Sequence, residues 1–485
     1  MIAQRLSAHR LSQLLGEWRS PSPGAGSAAG HRYEELSESV GLLVRDGAIS
    51  PGTALPAERP LAETLGVSRT TVAAAYRLLR ESGTAVSRQG SGTVVRSPRP
   101  LPLAGEAAEG ARIDLSTACP AGWEGLPALG ERVLGEFPGI FAHPGYDTLG
   151  LPELRRAIAD RFARRGLPTA PEQIMVTLGA QHAIFLLART LLGRGDRALI
   201  ESPSYPHARE ALAATGALVA ELPVGHGGVD ERAVLDIAAR VAPRLAYLIP
   251  DHHNPTGLSM PRELRGRLIH ALSAAGSHVI ADETTAELVL GGPRLVEPFA
   301  AAAELPHQAD AIITVGSLGK TVWGGLRIGW IRAAPELIAR LESARRVSDL
   351  GTGAWEQATA ALALEQYDEI LADRSRELTA KHRVLTAGLG ARLPGWAASA
   401  AQGGVCLWVD IGEQRSSALS RAAARHGVRL TPGPRFGSPG VFERFLRLPF
   451  TAPEDELVAA VEVLAEVRGT APAAAPILHG ADAVI

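Results

Sequence analysis

The segment SLGKTVWGGLRIGW, residues 317 to 330, holds the side chains best suited to chemistry in this sequence. It follows the apolar run AIITVGS, so we expect Lys320 at the carboxyl end of a strand, where α/β folds bind ligands. There a lysine amine can form a Schiff base, and Ser317 and Arg327 can hydrogen-bond a phosphate. A lone lysine in a glycine-rich loop is more often a surface cation. Lys320 and Lys381 are the only lysines among 49 basic residues, so lysine chemistry has two candidates.

Three other segments also place polar groups beside apolar runs. In HVIADE, Asp282 ends a strand, as a carboxylate must if it is to hold a protonated ring nitrogen; a helix cap or a metal ligand is the alternative. In HHNPTG, Asn254 presents a side-chain amide from the loop after LAYLIP. In TLGAQHAI, the amides of Gly179, Ala180 and Gln181 would face an anion at a helix N-terminus. A surface-cation interpretation of Lys320 must explain all three segments.

Metal and disulfide chemistry are poorly supported. The paired His252 and His253 are zinc-ligand types, but no third ligand follows at a suitable spacing, so we predict no metal. Cys119 and Cys406, the two cysteines, have no metal-ligand neighbours and cannot build a disulfide framework. This cysteine usage is typical of a reducing cytoplasm.

Length and composition indicate a well-packed soluble protein of two or three domains, since the chain has 485 residues, 46% hydrophobic and 21% charged. From about Ile113 onward, short apolar runs alternate with longer amphipathic runs, which predicts an α/β domain with a mainly parallel sheet. The N-terminal MIAQRLSAHRLSQLLGEW has no long apolar core, and no stretch reaches eighteen apolar residues. We therefore expect a protein that is neither secreted nor membrane-spanning.

Short helices are predicted near the N-terminus, where charge is also uneven. YEELSESVGLLVRDG has helical spacing with Gly47 as its C-cap, AERPLAETLG predicts a second helix, and Ser68 can N-cap RTTVAAAYRLLRESG. VSRQGSGTVV then predicts a β-hairpin. Residues 68 to 96 contain five arginines and one glutamate, a local charge of 5 − 1 = +4 in a chain of net charge −2. Two short helices joined by a tight turn are either a DNA-binding helix-turn-helix or a helical hairpin with solvated arginines.

The order of these elements decides between the two interpretations. LPAERPLAETLGVSRTTVAAAYRLLRESG followed by RQGSGTVV closely resembles the GntR winged helix over nearly all of residues 31 to 96. The resemblance implies that the second helix of the pair enters a major groove while the wing contacts the DNA beside it. The expected DNA-binding residues are Arg59, Ser68, Arg69, Thr70, Thr71, Arg88, Gly90 and Gly92.

The remaining chain, from about Ile113 to Arg468, resembles a fold-type-I aminotransferase, because its polar segments occur in that family's order. The resemblance implies pyridoxal 5′-phosphate bound as a Schiff base at Lys320, the catalytic residue of the family pattern. It also assigns roles to residues that would otherwise pass as half-buried aromatics or as a structural ion pair. Tyr205 would stack on the cofactor, Tyr146 would reach the neighbouring subunit's phosphate, and Arg447 with His207 would bind a substrate or effector. The expected cofactor-binding residues are Gly179, Ala180, Gln181, Tyr205, Asn254, Asp282, Thr284, Ser317, Lys320, Arg327 and Tyr146.

One departure from the family pattern concerns the residues after Asp282. Many aminotransferases carry a tyrosine two or three positions later that bonds the cofactor's phenolic oxygen, whereas this chain has Thr284 and Thr285. A threonine hydroxyl is shorter and far less acidic than a phenol. This difference puts catalytic turnover in doubt more than cofactor binding.

The two resemblances together identify the MocR type of the GntR superfamily. They imply five segments: a helical N-terminal extension (1–30), a winged helix (31–97), a linker (98–112), an effector domain (113–470) and a disordered tail (471–485). The effector domain should pair a mainly parallel large domain with a smaller C-terminal α+β domain. Expected partners are a double-stranded DNA operator with two half-sites, a small amine or amino acid effector and a second copy of the chain, in the cytoplasm. The alternative is a working class I/II aminotransferase with an accessory DNA-binding domain; a scaffold role leaves the many positioned polar groups unexplained.

Overall fold

The computed structural model describes residues 5–15, 29–45, 49–88, 92–96, 113–142, 144–225, 230–438 and 441–469. Within these ranges the helices are α1 (Ala8–Leu15), α2 (Ala29–Arg45), α3 (Glu58–Leu65), α4 (Arg69–Glu81), α5 (Leu126–Glu136), α6 (Pro152–Arg164), α7 (Ala180–Leu191), α8 (Pro206–Ala214), α9 (Glu231–Val241), α10 (Arg262–Ala274), α11 (Pro306–Asp310), α12 (Pro335–Arg345), α13 (Ala354–Glu365), α14 (Tyr367–Arg392), α15 (Ser416–Arg425) and α16 (Glu454–Arg468). The strands are β1 (Ala85–Arg88), β2 (Gly92–Val95), β3 (Ile113–Leu115), β4 (Ile174–Thr177), β5 (Arg197–Ser202), β6 (Leu218–Pro223), β7 (Leu245–Leu248), β8 (His278–Asp282), β9 (Ile312–Ser317), β10 (Gly329–Arg332), β11 (Ala397–Ala398), β12 (Cys406–Asp410), β13 (Val428–Pro432) and β14 (Phe445–Pro449).

The winged helix forms as the sequence predicts, from α2, α3, α4 and the antiparallel hairpin β1–β2. Its helices bury one apolar stripe each around Tyr76, which is 1% exposed and whose hydroxyl donates to the carbonyl of Pro56 at 2.8 Å. The extension before it is not separate: Leu11 of α1 is fully buried in the same core, and the backbone amide of Leu6 donates to the carbonyl of Ala54. The expected C-cap Gly47 and the wing glycine Gly90 lie outside the described residues.

The large domain is built on a seven-stranded sheet in the order β4-β10-β9-β8-β7-β5-β6. All neighbouring strands are parallel except β10, which runs antiparallel to both β4 and β9. The parallel strands carry almost unbroken apolar runs because helices cover both faces of the sheet. Their carboxyl ends therefore meet at one edge, which brings the loops after β4, β7, β8 and β9 together.

The smaller domain packs α14, α15 and α16 on a five-stranded sheet in the order β11-β12-β14-β13-β3. Strand β3 begins the effector domain and pairs in parallel with β13, which lies near the C-terminal end of that domain. Segments from the two ends of the effector domain therefore form part of one sheet. This is the mainly parallel large domain with a smaller α+β domain that the sequence predicts. The expected linker 98–112 and tail 471–485 lie outside the described residues. Within the described ranges, no helix has both the length and the apolar character that a membrane crossing requires.

Candidate functional site

Lys320 lies directly after β9, at the carboxyl edge of the large sheet. Its Nζ donates to the carbonyl of Ala118 at 2.6 Å and to Sγ of Cys119 at 2.9 Å. The chain's other lysine, Lys381, is held on α14 by a 2.6 Å ion pair with Glu377. Of the two amines, only that of Lys320 lies at the strand ends where ligands bind.

Asp282 is buried at the end of β8, with 4% of its surface exposed. The hydroxyl of Tyr247 donates to its Oδ2 at 2.6 Å, and the backbone amide of Thr284 donates to its Oδ1 at 3.0 Å. Burial raises the pKa of Asp282, while these hydrogen bonds and the charge of Lys320 oppose that rise. Among the residues that the structure describes, no lysine or arginine forms an ion pair with Asp282, so this carboxylate can hold a protonated ring nitrogen.

The β4–α7 turn and the loop after β9 together form a site that is suited to binding a phosphate. Gly179 is the N-cap of α7, with a φ of +79° that favours glycine. Nη2 of Arg327 donates to the carbonyl of Leu178 at 2.8 Å, and a Cβ added at Gly179 would lie 3.1 Å from that nitrogen. Oγ of Ser317 accepts from the amide of Gly319 and donates to the carbonyl of Ile328, both at 3.0 Å. The helix N-terminus formed by Gly179, Ala180 and Gln181 and the arginine can together hold an anion.

Tyr205 and Asn254 flank this region. Tyr205 precedes α8, and burial, with the nearby charge of Asp282, raises its pKa to about 12, so the phenol stays protonated. The ring of His207 stands edge-on to that of Tyr205 at 5.4 Å, and its Nδ1 lies 2.9 Å from Glu210. Asn254 lies in the loop after β7, and its Oδ1 is 3.9 Å from Sγ of Cys406.

Arg447 on β14 brings a buried guanidinium from the smaller domain. It is 8% exposed, its Nη2 donates to the carbonyl of Ser116, and its Cζ lies 5.1 Å from the centre of the Phe436 ring. Its Nε is buried and finds no hydrogen-bond partner among the described residues. Burial lowers the pKa of Arg447, with Cys119 and Tyr205 among the groups near enough to counter that shift. A carboxylate would satisfy this nitrogen.

The two threonines after Asp282 point to different neighbours. The backbone amide of Thr284 bonds Asp282, as described above, whereas Thr285 is buried and its hydroxyl lies 3.3 Å from the carbonyls of Asp251 and His252. Thr284 thus supports the aspartate, and Thr285 is directed into the protein. Neither reproduces the reach of a tyrosine phenol.

The structure places Tyr146 at the surface and both His252 and His253 in hydrogen bonds. Tyr146 is 75% exposed, so it makes little contact within its own chain. His252 lies with Nδ1 3.0 Å from the carbonyl of Thr285, and Nδ1 of His253 lies 3.0 Å from the hydroxyl of Thr256. Across the described parts of the chain, no group of three His, Cys, Asp or Glu side chains is arranged to hold a metal ion.

The expected DNA-binding residues lie at the start of α4 and on the hairpin. Oγ of Ser68 accepts from the amide of Thr71 at 3.0 Å and bonds the hydroxyls of Thr70 and Thr71. Arg69 is largely exposed and pairs with Glu58 at 3.2 Å. Arg59 and Arg88 are exposed, Arg59 pairing with Glu63 at 3.1 Å, and Gly92 pairs with Arg88 in the hairpin. The threonine hydroxyls thus serve the cap, which leaves Arg69 as the long side chain exposed at this helix start.

Sequence reasoning missed two neighbours of the site. Tyr247 sits in the apolar strand LAYL, where a lone hydroxyl was the available signal, because a buried phenol usually finds a hydrogen-bond partner. Cys119, which touches Lys320, lies more than 200 residues earlier, and no local pattern could have predicted the contact.

Two family models match this chain, one in each of its two domains. Residues 140–464 match the family model of class I and II aminotransferases. The chain belongs to the class I and II aminotransferase family. Residues 32–95 match the model of the gntR family of bacterial regulatory proteins, so the chain joins a GntR helix-turn-helix domain to an aminotransferase domain, as MocR-type regulators do. The family's cofactor is pyridoxal 5′-phosphate. The residues present fit it, since Asp282 is buried at a strand end and an added Cβ at Gly179 would fill the space beside Arg327.

Both transcriptional regulators and aminotransferases are similar to this chain. The HTH-type transcriptional regulator TauR of Rhodobacter capsulatus is 27% identical, over 89% of this chain and 94% of its own length. The 2-aminoadipate transaminase of Thermus thermophilus is 30% identical, over 64% of this chain and 78% of its own. The crystal structure of LysN, an α-aminoadipate aminotransferase from Thermus thermophilus complexed with N-(5′-phosphopyridoxyl)-L-leucine, has a TM-score of 0.66 and 28% identity, covering 74% of this chain and 92% of that one. The regulator matches the whole two-domain layout, and the enzymes match the aminotransferase domain.

Proposed function

We propose that this GntR-type regulator holds pyridoxal phosphate as a Schiff base at Lys320 and senses pyridoxal phosphate or an amino compound, which changes its affinity for operator DNA. The carboxylate of an amino acid would bind at Arg447. The observation that carries the proposal is that Nε of Arg447 is buried and has no hydrogen-bond partner among the described residues. Arg447 interacts electrostatically with Tyr205 and Cys119, and Cys119 contacts Lys320. A ligand carrying both an amine and a carboxylate would satisfy both ends of this site. The name of the 2-aminoadipate transaminase supports an amino compound as that ligand.

Several side chains would hold the cofactor. Asp282 would keep its ring nitrogen protonated, Asn254 would donate to its phenolic oxygen and Tyr205 would cover its ring. Its phosphate would lie at the N-terminus of α7, with Ser317 and Arg327. When bound, the cofactor supplies an electron sink and a carbonyl carbon that exchanges between Lys320 and an incoming amine.

We propose a homodimer with Tyr146 crossing to the second copy. Tyr146 precedes Asp147, whose backbone bridges to Gly351, so its segment adjoins the one that carries Val347 and Leu350. Large side chains are exposed in both segments of the single chain: Phe141 (72%), Tyr146 (75%), Val347 (91%) and Leu350 (52%). A monomer rarely leaves such a patch in water, so it favours burial against a partner.

A dimer would present two winged helices to two half-sites of one operator, in the cytoplasm, where the DNA lies. Arg69 would reach a base edge and Arg59 and Arg88 the backbone, while Ser68, Thr70 and Thr71 set the start of the recognition helix. The operator should therefore be a repeat, direct or inverted.

The deciding experiment measures DNA binding with and without ligand. Fluorescence anisotropy with the DNA upstream of the gene would be recorded for the cofactor-loaded protein while amino acids are added one at a time. We expect at least one amino acid to change the affinity, and the Arg447→Ala variant to lose that response. If no amino acid acts and cofactor loading alone changes the affinity in both proteins, pyridoxal phosphate is the signal.

A second candidate function is transamination, favoured by the presence of both Lys320 and Asp282 with their hydrogen bonds in place. We expect at most slow turnover of an amino acid with a keto acid, because Thr284 and Thr285 replace the tyrosine that would bond the phenolic oxygen. Rapid multiple turnover, together with no specific DNA site, would identify an enzyme instead.

A further inference from the structure

A cleft of about 160 Å³ lies between the winged helix and the effector domain, outside the cofactor region. Its walls combine apolar side chains of the winged helix with basic ones of the effector domain. The winged-helix wall consists of Leu14, Leu15, Ser39 and Leu43. The opposite wall, from α8, α15 and the turn at residues 432–437, is where the charges lie, so an occupant would touch both domains at once.

The distinctive group in this cleft is Arg421 on α15. Its side chain lines the cleft and is 7% exposed. It makes no hydrogen bond and no ion pair with any residue that the structure describes. Burial lowers the pKa of Arg421, and the nearby carboxylates of Glu443, Glu38 and Glu35 only partly offset that shift. A buried guanidinium in this state is costly unless an anion completes its surroundings.

Two of the acidic side chains near Arg421 form contacts with other residues. Glu443 accepts from the hydroxyl of Ser417 at 2.6 Å and from its amide at 3.0 Å. Glu38 pairs with Arg425 at 2.9 Å, a contact that also ties α2 to α15. These carboxylates lower the cost of burying Arg421 without forming a hydrogen bond to it.

Two more arginines line the same cleft and are each held by one carboxylate. Arg435 pairs with Glu210 at 2.7 Å, and Arg209 pairs with Glu221 at 2.8 Å. Their remaining N–H groups can donate further, because a guanidinium carries five. Among the side chains that line the cleft, three arginines therefore face one glutamate, Glu210.

The effector-domain wall is also connected to the cofactor region. Helix α8 contributes Arg209 and Glu210 to the cleft and begins immediately after Tyr205. The amide of Ser204 donates to the carbonyl of Phe436 at 2.8 Å, and the Phe436 ring packs on Arg447. A change at the cofactor ring or at Arg447 would thus reach the cleft through one helix and one turn.

We propose that this cleft binds a small oxyanion, a phosphate or a carboxylate, through Arg421, and that the bound anion fixes the winged helix against the effector domain. This is a second ligand site, separate from the one at Arg447. Anion binding follows from the charges in the cleft alone, whereas its effect on DNA affinity rests on the proposed function.

The test is calorimetric titration of inorganic phosphate into protein loaded with pyridoxal phosphate and reduced with borohydride, and separately of succinate into the same preparation of the Arg447→Ala variant, in which the carboxylate site at Arg447 is removed. Reduction keeps the cofactor's own phosphate in place, so added phosphate cannot bind there. We expect saturable binding of one anion per chain. In Arg421→Gln it should weaken about tenfold or more, the loss typical of a charge-assisted hydrogen bond.

Two further variants separate this site from general effects of substitution. Ser39→Asp places a carboxylate in the cleft and should abolish anion binding in a folded protein. Arg392→Gln removes an exposed arginine that pairs with Glu462 and should bind as the unmodified chain does. Equal binding by Arg421→Gln would mean an adventitious ion only, and no saturable binding of either anion would overturn the proposal. Failure of borohydride to fix the cofactor would instead count against the Schiff base at Lys320.

Discussion

The phenol of Tyr247 donates a 2.6 Å hydrogen bond to Oδ2 of Asp282, and both side chains are buried. Burial raises the pKa of Asp282, and the bond from Tyr247 stabilises the ionised carboxylate against that rise. We therefore propose Tyr247 as a positioning residue: its hydrogen bond favours the ionised carboxylate of Asp282, which would keep a proton on the ring nitrogen of a bound cofactor.

We predict that Tyr247→Phe raises the pKa of Asp282 further, because the buried carboxylate then loses a hydrogen bond that favours its ionised form. The ring nitrogen would lose its proton to the carboxylate, and the Schiff base would become more basic. The pH midpoint of the visible absorption band should therefore move upward. Tyr367→Phe is the matched control, because Tyr367 is also buried but bonds Thr321. Equal midpoints in all three proteins would contradict the assignment.

We predict that Lys320→Ala abolishes the visible band of the purified protein, because the Schiff base requires this amine. Borohydride should fix the cofactor to the peptide containing Lys320 in the unmodified chain. Lys381→Ala removes an ion pair with Glu377 and a hydrogen bond to the carbonyl of Thr451, both outside the cofactor region, and should keep the band. A band that survives Lys320→Ala would rule out the assigned lysine.

We predict that Arg69→Ala weakens specific DNA binding by about 1–3 kcal/mol while cofactor absorbance stays unchanged, as expected if the side chain reads a base edge. Its exposed ion pair with Glu58 competes for the same guanidinium. Glu58→Ala should therefore leave binding intact or strengthen it slightly. Anisotropy over a range of salt concentrations checks both, and an unchanged affinity and salt slope in Arg69→Ala would show that the recognition helix is misassigned.

We predict that Leu11→Ala destabilises the winged helix by about 2–5 kcal/mol, because Leu11 is fully buried in its core. Thermal unfolding should show an earlier first transition, with the cofactor-bearing domain unaffected. Leu14→Ala on the same helix is the control and should cost less, since Leu14 is only partly buried. Identical losses would mean that α1 does not belong to that core.

Much of the fold could be predicted from local sequence. The alternation of apolar runs such as IMVT, LAYL and HVIAD with amphipathic segments fixes a parallel sheet whose carboxyl ends carry the polar loops. The helix-turn-helix could also be predicted from local sequence, because Ser68 and the hairpin glycines are position-specific signals. The antiparallel insertion of β10 between β4 and β9 was not, since strand partners are set by packing across the sheet.

The site was predicted in part for the same physical reason. Lys320, Asp282 and Asn254 follow strands, so local pattern locates them. The bonds from Tyr247 to Asp282 and from Lys320 to Cys119 join positions far apart in the chain and depend on tertiary packing. The packing of α1 into the winged helix was also missed, because an eight-residue amphipathic segment carries no information about its partner.

The contact between Cys119 and Lys320 makes the chain suited to direct chemical labelling. Of its two thiols, Cys119 is exposed and Cys406 is buried, where burial raises the pKa of the latter to about 11. A maleimide fluorophore should therefore attach at Cys119 in the native protein without any engineered cysteine. Because its Sγ lies 2.9 Å from the lysine nitrogen, such a dye would report occupation of the pocket by light emission and could serve to screen compound libraries for the effector.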